Sequence, residues 1–274
     1  MSTTLNPNKH VHCIGEKTKE QKGGGWGWGC LFTFLIIGGF VTCLQESGWF
    51  TLYLLAFIVA LLSYAAGKRK KARLRQEKLK KIHLLLFDTE TTGLLRKGGE
   101  PAERPRLVQL ACLLTDINGN EMARWSGIVK PDGFEIPQEA TAVHGISTET
   151  ALAKGVSARE AINAFLSLYD RSNVVIAHNA EFDQEVIMGE IERLDCWGGR
   201  EPKPVVDTMK PTAEFVGIYS SWKGDYKWPK LSELHEKLFG RGFDGAHDAM
   251  ADVEACARCY FELVKRKLIE VTVE

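Results

Sequence analysis

The sequence predicts an α/β domain, a mixed sheet flanked by helices, preceded by two transmembrane helices. Three observations carry that expectation: two long uncharged runs near the N-terminus, one strong hairpin signal, and short apolar runs alternating with amphipathic ones afterwards. Residues 1–25 are polar, carry Lys9, Lys17, Lys19 and Lys22, and end in Gly23-Gly24-Gly25, so they read as a flexible tail. Residues 26–44 (WGWGCLFTFLIIGGFVTCL) and 49–67 (WFTLYLLAFIVALLSYAAG) contain no charge. Each has the length of a bilayer-spanning helix, with Trp26, Trp28, Trp49 and Tyr64 near the ends where aromatic belts sit. Gln45–Gly48 would then be a tight hairpin loop, and one span plus an interfacial first segment is the main alternative.

A cleaved signal peptide fits poorly, because the first apolar run starts after about 25 residues and no small-residue cleavage pattern precedes the second. The loop carries no Lys or Arg, whereas KRKKARLR (Lys68–Arg75) follows the second run and lysines precede the first. The positive-inside rule therefore puts both ends, and the domain beyond, in the cytoplasm of a multi-pass membrane protein. Residues 68–81 read as a basic juxtamembrane linker continuing as a solvated helix.

From residue 82 to 274 the chain is long enough for one domain with a sizeable core. Ile82–Asp88 reads as a strand. Leu107–Thr115 and Glu121–Val129 read as a hairpin turned at Asn118-Gly119. Ser157 and Glu160 form a capping box that opens a helix to about Tyr169. Val174–Ala177 is a short buried strand, Glu181–Leu194 a helix, Leu231–Phe239 a helix stopped by Gly240, and about His247–Lys267 a long final helix. An antiparallel hairpin followed by alternating elements gives a mixed sheet.

Charge divides the chain. Residues 1–81 hold 13 Lys+Arg against 4 Asp+Glu, a net of +9, and the remainder holds 22 against 31, a net of −9. The seven cysteines (13, 30, 43, 112, 196, 256, 259) have no framework spacing, which suits a reducing compartment without disulfides. Cys256-Ala-Arg-Cys259 lacks the companion pair a zinc site needs, so helix packing explains it better.

The chemistry concentrates in four acids placed where elements begin or end. Asp88 and Glu90 lie in FDTETTGL at the end of the first strand, Asp183 in HNAEFD between strand and helix, and Asp252 in HDAMADVEA on the last helix. Spacing alone identifies nothing, since His-x4-Asp occurs at His83/Asp88, His178/Asp183 and His247/Asp252. Converging carboxylates without cations would raise one another's pKa. Magnesium or manganese would relieve them, and two such ions suit in-line phosphoryl displacement. An imidazole, titrating near ~6.5, is a suitable acceptor for the proton of an attacking water. Positions i and i+5 on one regular helix lie about 140° apart, so to share a site with Asp252, His247 must lie at the helix start or in the loop before it.

Those three segments, in that order, resemble the motifs of the DEDDh-type 3′–5′ exonucleases, the family of the polymerase III epsilon subunit, RNase T and oligoribonuclease. The resemblance spans about residues 82–265 and is also carried by RLVQLACLLTDINGNE and VKPDGFEIPQEATAVHGIS. It implies an RNase H-like fold and an enzyme that releases nucleoside monophosphates from single-stranded DNA or RNA 3′ ends with two Mg2+ or Mn2+ ions. It further implies that Asp88, Glu90, Asp183 and Asp252 hold the metals and that His247 is the general base, the alternative tyrosine position being Asp248 here. Thr89 and Leu94, and with them His144, Asn179 and Phe182, would meet the terminal nucleotide, although core packing explains Leu94 and a helix cap explains His144 nearly as well. His178 reads as a structural histidine, and His83 lies far from the acids. Only KLIEVTVE follows the final helix, so no polymerase-binding tail is recognised. An oligoribonuclease-like RNA exonuclease, with the aromatic-rich YSSWKGDYKW (Tyr219–Trp228) choosing the substrate, and a catalytically retired membrane-bound nucleic-acid-binding module are the alternatives.

Overall fold

The computed structural model describes residues 47–95, 104–222 and 224–269. They fall into two units, divided at Lys80/Lys81. The first is a single helix, α1 (Ser47–Leu79), whose residues Leu52–Leu74 are long and apolar enough to cross a membrane. The uncharged part of the helix ends at Gly67, and from Ser47 it reaches about 30 Å at ~1.5 Å per residue, the thickness of a hydrocarbon core of ~30 Å. The apolar side chains of Leu52, Leu55 and Leu62 are exposed. Among the described residues this is the one such helix, where the sequence predicts two. The expected span 49–67 falls inside α1, whereas the expected span 26–44 lies outside the described residues. Of the expected loop, Ser47 and Gly48 are already helical. The basic run continues the same helix, since Lys and Arg are good helix formers and nothing there breaks it.

The second unit is built on a five-stranded mixed sheet of order β3-β2-β1-β4-β5: β1 (His83–Thr91), β2 (Leu107–Asp116), β3 (Glu121–Ile128), β4 (Val174–Ala177) and β5 (Val205–Asp207). β1, β2 and β3 pair antiparallel, whereas β4 and β5 join parallel to β1. Asp116 accepts from the backbone N–H groups of Asn118 (2.8 Å) and Asn120 (2.9 Å), which shapes the turn that Gly119 completes at φ +86°.

Strand alternation sorts β1. Leu85 and Phe87 pack into the main core with α4 (Ala158–Arg171) and α5 (Ala180–Leu194). The last helix, α8 (Ala249–Lys265), lies over β1 and β2 and buries Val253, Cys256, Cys259 and Tyr260. Cys112, Cys196, Cys256 and Cys259 are free thiols, and Cys256 lies 3.7 Å from the Thr208 hydroxyl. Between β3 and α4 run two short helices, α2 (Gln138–His144) and α3 (Thr148–Lys154). Between β5 and α8 lie α6 (Ala213–Val216), a two-stranded ribbon of β6 (Tyr219–Ser220) and β7 (Asp225–Tyr226), and α7 (Leu231–Phe239).

Helix α5 is fixed to the sheet by a buried acid. Glu190, 1% exposed, accepts from Arg106 Nε (2.8 Å), Arg193 (3.1 Å) and the Leu107 backbone N–H (3.3 Å). Removing the carboxylate leaves two guanidinium groups and an amide without a shared acceptor, a loss of about 3–5 kcal/mol. Urea denaturation of a Glu190→Ala variant is expected to show that loss. Glu121→Ala, taken from an exposed pair with Arg124, is expected to leave the midpoint unchanged. Equal effects would show that the buried cluster does not anchor α5.

Candidate active site

β1 outruns its parallel neighbour. β4 pairs only with Leu84, Leu85 and Leu86, so from Phe87 onward one edge of β1 has no strand beside it. The first turn of α5 fills the gap: both the backbone N–H of Thr89 (3.0 Å) and its hydroxyl (2.6 Å) donate to one oxygen of Asp183. On the other edge the register with β2 slips between Glu90 and Thr91, a β-bulge at the acids. Asp88 and Glu90 therefore sit inside a strand that continues to Thr91, three residues past its expected end at Asp88. Being two apart, they share the face opposite Thr89.

His247 precedes α8 and has φ +71°, a left-handed conformation in which histidine is among the better-tolerated residues. Its backbone N–H donates to Asp252 (2.9 Å). Glu90, His247 and Asp252 each bring one ligand atom to within 4.8 Å of the others. Asp248 caps α8, accepting from the N–H groups of Met250 and Ala251 at 3.1 Å. Sequence reasoning missed the residue that seats this helix end. Gln109 of β2, paired in register with Glu90, donates to Asp248 and accepts from Ala249 N–H, each at 3.3 Å. A lone amide in the apolar run RLVQLA was its signal.

The remaining predicted residues divide. Asn179 takes φ +74° ahead of α5, with its N–H on Asp207 (2.9 Å). Asp207, also missed, ends β5 and accepts from Met209 and Lys210 N–H, and its signal was the acid closing VVD. His144 ends α2. Its Nδ1 accepts from Ile146 N–H (3.1 Å), while its buried Nε2 faces the Thr91 backbone without a partner in hydrogen-bond geometry. Burial, ahead of the neighbouring His247, holds this imidazole below its ordinary pKa. Leu94, 84% exposed, is not core. Phe182 is half-buried and packs on the main core. His178 is fixed by Thr208 (3.0 Å) and the Pro229 carbonyl (3.0 Å), a structural placement. His83 bonds the Arg171 carbonyl, away from the acids.

Electrostatically the cluster is uncompensated. Burial first, then Asp183, Asp252, Glu90 and Asp248, hold the Asp88 carboxyl well above the usual carboxylate range. Burial and then Asp252 and Asp183 push Glu90 up to about 8. For Asp183, burial outweighs the two Thr89 bonds and the carboxyl rises to about 7. Burial raises Asp252 too, opposed by its bond from His247. Among the described residues, none of the four forms an ion pair with Lys or Arg. An oxygen-rich donor set that lacks positive charge suits hard divalent cations.

The exonuclease family model (RNase_T) matches residues 85–260, a stretch that runs from β1 into α8 and contains all four acids and His247. The chain belongs to the exonuclease family. It is 30% identical over 201 residues to a DNA polymerase III subunit epsilon-like protein of Rhodobacter capsulatus, covering 72% of this chain and 26% of that one. It is 29% identical over 179 residues to the DNA polymerase III subunit epsilon of Treponema pallidum, covering 65% and 74%. The zinc-bound form of the E. coli exonuclease I complex with single-stranded DNA superposes on it with a TM-score of 0.51 at 25% identity, covering 68% of this chain and 41% of that one. Another E. coli exonuclease I structure, in complex with a dA16 oligonucleotide, has a TM-score of 0.55 at 24% identity and shows the shared fold alone. The chain thus spans about a quarter of the Rhodobacter relative and two fifths of exonuclease I. The exonuclease domain accounts for the mixed sheet and for the helices that flank it.

Proposed function

We propose that this exonuclease domain hydrolyses phosphodiester bonds at the 3′ ends of single-stranded nucleic acid, releasing nucleoside monophosphates. The observation that carries the reading is the convergence of Asp88, Glu90, Asp183 and Asp252 with His247 in one uncompensated cluster. In this reading the four acids hold two magnesium or manganese ions. Such ions, when bound, activate water and neutralise charge developing on phosphate oxygens. The chain's own work is positioning. Thr89 holds Asp183, Gln109 and Asp248 seat the start of α8, and that helix start aims His247 at the side of Glu90 and Asp252. His247 takes the proton of the attacking water. Leu94, exposed just past β1, receives the terminal nucleotide, as do His144, on the side of His247, and Asn179, at the start of α5.

DNA is the favoured substrate, because the exonuclease I structure that is 25% identical to this chain is named as a complex with single-stranded DNA. The test is digestion of strands labelled at either end by the purified full chain, with magnesium and with excess chelator, on DNA and RNA in parallel. Metal-dependent mononucleotide release from the 3′ end is expected, and release that persists in chelator would overturn the mechanism.

The same reading places the domain at a membrane, through α1, on the side that keeps the basic run Lys68–Arg75. Exposed apolar residues over the length of a bilayer and positive charge at one end support it. In a background without reactive native cysteines, Lys154→Cys is expected to react with a membrane-impermeant thiol reagent only after cell lysis. Labelling in intact cells would put the domain on the other side.

A further inference from the structure

The site has a second feature at its rim. Between α6 and α7 the chain leaves the body as the β6–β7 ribbon, tightened by Gly224, whose N–H donates to the Ser220 carbonyl (2.9 Å) at φ +68°. Trp222, at the tip, is 94% exposed, and Tyr219 is 64% exposed. Tyr219 and Tyr226 stand edge to face across the ribbon with centroids 6.2 Å apart. A tryptophan this uncovered contributes nothing to the core. Three aromatic rings on a two-stranded ribbon form an exposed apolar feature of the kind that marks a binding surface.

The base of the ribbon is fixed to the carboxylate edge of the sheet. The Pro229 carbonyl meets His178 Nε2 at 3.0 Å, at the end of β4. Lys210 pairs with Glu181, in the first turn of α5, and lies over the Trp228 ring at 5.1 Å. Glu181 shares the first turn of α5 with Asp183, on the opposite, exposed face of the helix. The rings are thus carried on an element rooted at the edge of the sheet where β4 ends and α5 begins.

We propose that the Tyr219–Tyr226 ribbon is a stacking platform for bases of the single strand upstream of the 3′ end, with Trp222 as its principal ring. The inference rests on the reading of the site as a 3′-end exonuclease. Charge explains why a platform of rings is needed. Residues 82–274 carry a net of −9, and within residues 219–226 the charge of Lys223 is offset by Asp225, while Lys210 and Lys227 are committed to Glu181 and Glu233. Phosphate neutralisation, the usual source of non-specific affinity, is therefore weak here. Base–aromatic stacking is indifferent to net charge and tolerant of sequence, and it contributes about 1–3 kcal/mol per base. A polar strand also suits the ribbon better than a lipid surface does, since Ser220, Ser221, Lys223 and Asp225 are interspersed with its rings along the sequence.

The test uses the full chain in excess chelator and measures binding of fluorescent single strands of two and of about eight nucleotides. The wild type is expected to prefer the longer strand, and Trp222→Ala to reduce the long-to-short affinity ratio about tenfold, with Trp222→Phe restoring most of it. An abasic linker at one upstream position should reproduce the loss in the wild type and add nothing in Trp222→Ala. The loss should be the same at low and high salt, as stacking requires and phosphate contact does not. An unchanged ratio, equal weakening of both strands, a loss confined to low salt, or Trp222 quenched by brominated lipid vesicles rather than by strands would overturn the platform. Nucleotide release by the wild type with magnesium is scored separately. Release with an unchanged ratio sinks the platform alone. A collapsed ratio without release in any metal sinks the nuclease reading alone.

Discussion

An Asp88→Asn variant is expected to lose at least about a thousandfold in hydrolysis while melting at a higher temperature than the wild type in metal-free buffer. The two effects share a cause. Asp88 is pressed by burial and by four neighbouring carboxylates, so in the absence of metal its charge is a burden on the folded state. Asparagine keeps the shape and removes the charge. It also removes a ligand, and the loss of about 4 kcal/mol of transition-state stabilisation is a thousandfold in rate. The pH dependence has a definite sign. Asp88, Glu90, Asp183 and Asp252 all have folded pKa values raised above their ordinary ones, Glu90 to about 8 and Asp183 to about 7. Between about pH 4, where the unfolded carboxyls titrate, and about pH 8, the folded state holds protons that the unfolded state has released. The stability these groups contribute is fully present below that window and is lost as pH rises through it. The metal-free melting temperature should therefore fall from pH 5 to pH 8.5, at roughly 2–4 °C per kcal/mol for a domain of this size. Magnesium should restore it at the upper end, because the ion binds only the native cluster. In Asp88→Asn both the fall and the restoration should shrink. A metal-free melting temperature that rises across this window would contradict the uncompensated cluster.

Elements marked by a continuous apolar run, a helical period or a cap were legible in the sequence. β4 and α7 have the expected bounds, and Ser157 caps α4 by accepting from Glu160 N–H (3.1 Å), as the S-x-x-E spacing predicts. The expected β1 stopped at Asp88 because charged residues read as a strand end. It runs to Thr91 because β2 still pairs there, and because Asp183 satisfies the Thr89 amide where β4 has ended. Helices α2 and α3, seven residues each, are too short to show a period, although Ser147 accepting from Thr150 N–H marks the second. β5 and the β6–β7 ribbon have three and two residues per strand, below any pattern. At the candidate site, the four acids and His247 that the sequence singles out are brought into one cluster. Gln109 and Asp207 were not singled out, because their function is to hold backbone groups of other segments, and the sequence gives no sign of which segments fold against them. The start of α8 shows the opposite case. The ~100° helical step put His247 at the helix start or in the loop before it, and its φ of +71°, ahead of Ala249, places it in the loop.

That position makes His247 the sharpest test of the mechanism. A His247→Ala variant is expected to lose about 10²–10⁴ in turnover, the range of a positioned proton acceptor, with little change in the magnesium concentration that gives half-maximal rate. Asp252 keeps its partner in the variant, since the bond it accepts at 2.9 Å comes from the backbone N–H of residue 247 and not from the imidazole. His247→Gly separates the ring from the strain. Glycine adopts φ +71° freely, so this variant should be as inactive as His247→Ala but more stable by about 1 kcal/mol. Added imidazole should restore part of the turnover of His247→Gly, since the ring faces solvent and leaves an accessible gap. His178→Ala is the matched control: it breaks the bonds to Thr208 and Pro229, so it should lower thermal stability while keeping far more turnover. The ring of His247 lies close enough to Glu90 and Asp252 to serve as a metal ligand instead. In that case His247→Ala would shift the half-maximal magnesium concentration by the same factor as turnover at limiting metal, saturating metal would recover the rate, and imidazole would add nothing once metal is saturating. That outcome would remove His247 as the base and leave the proton to another acceptor.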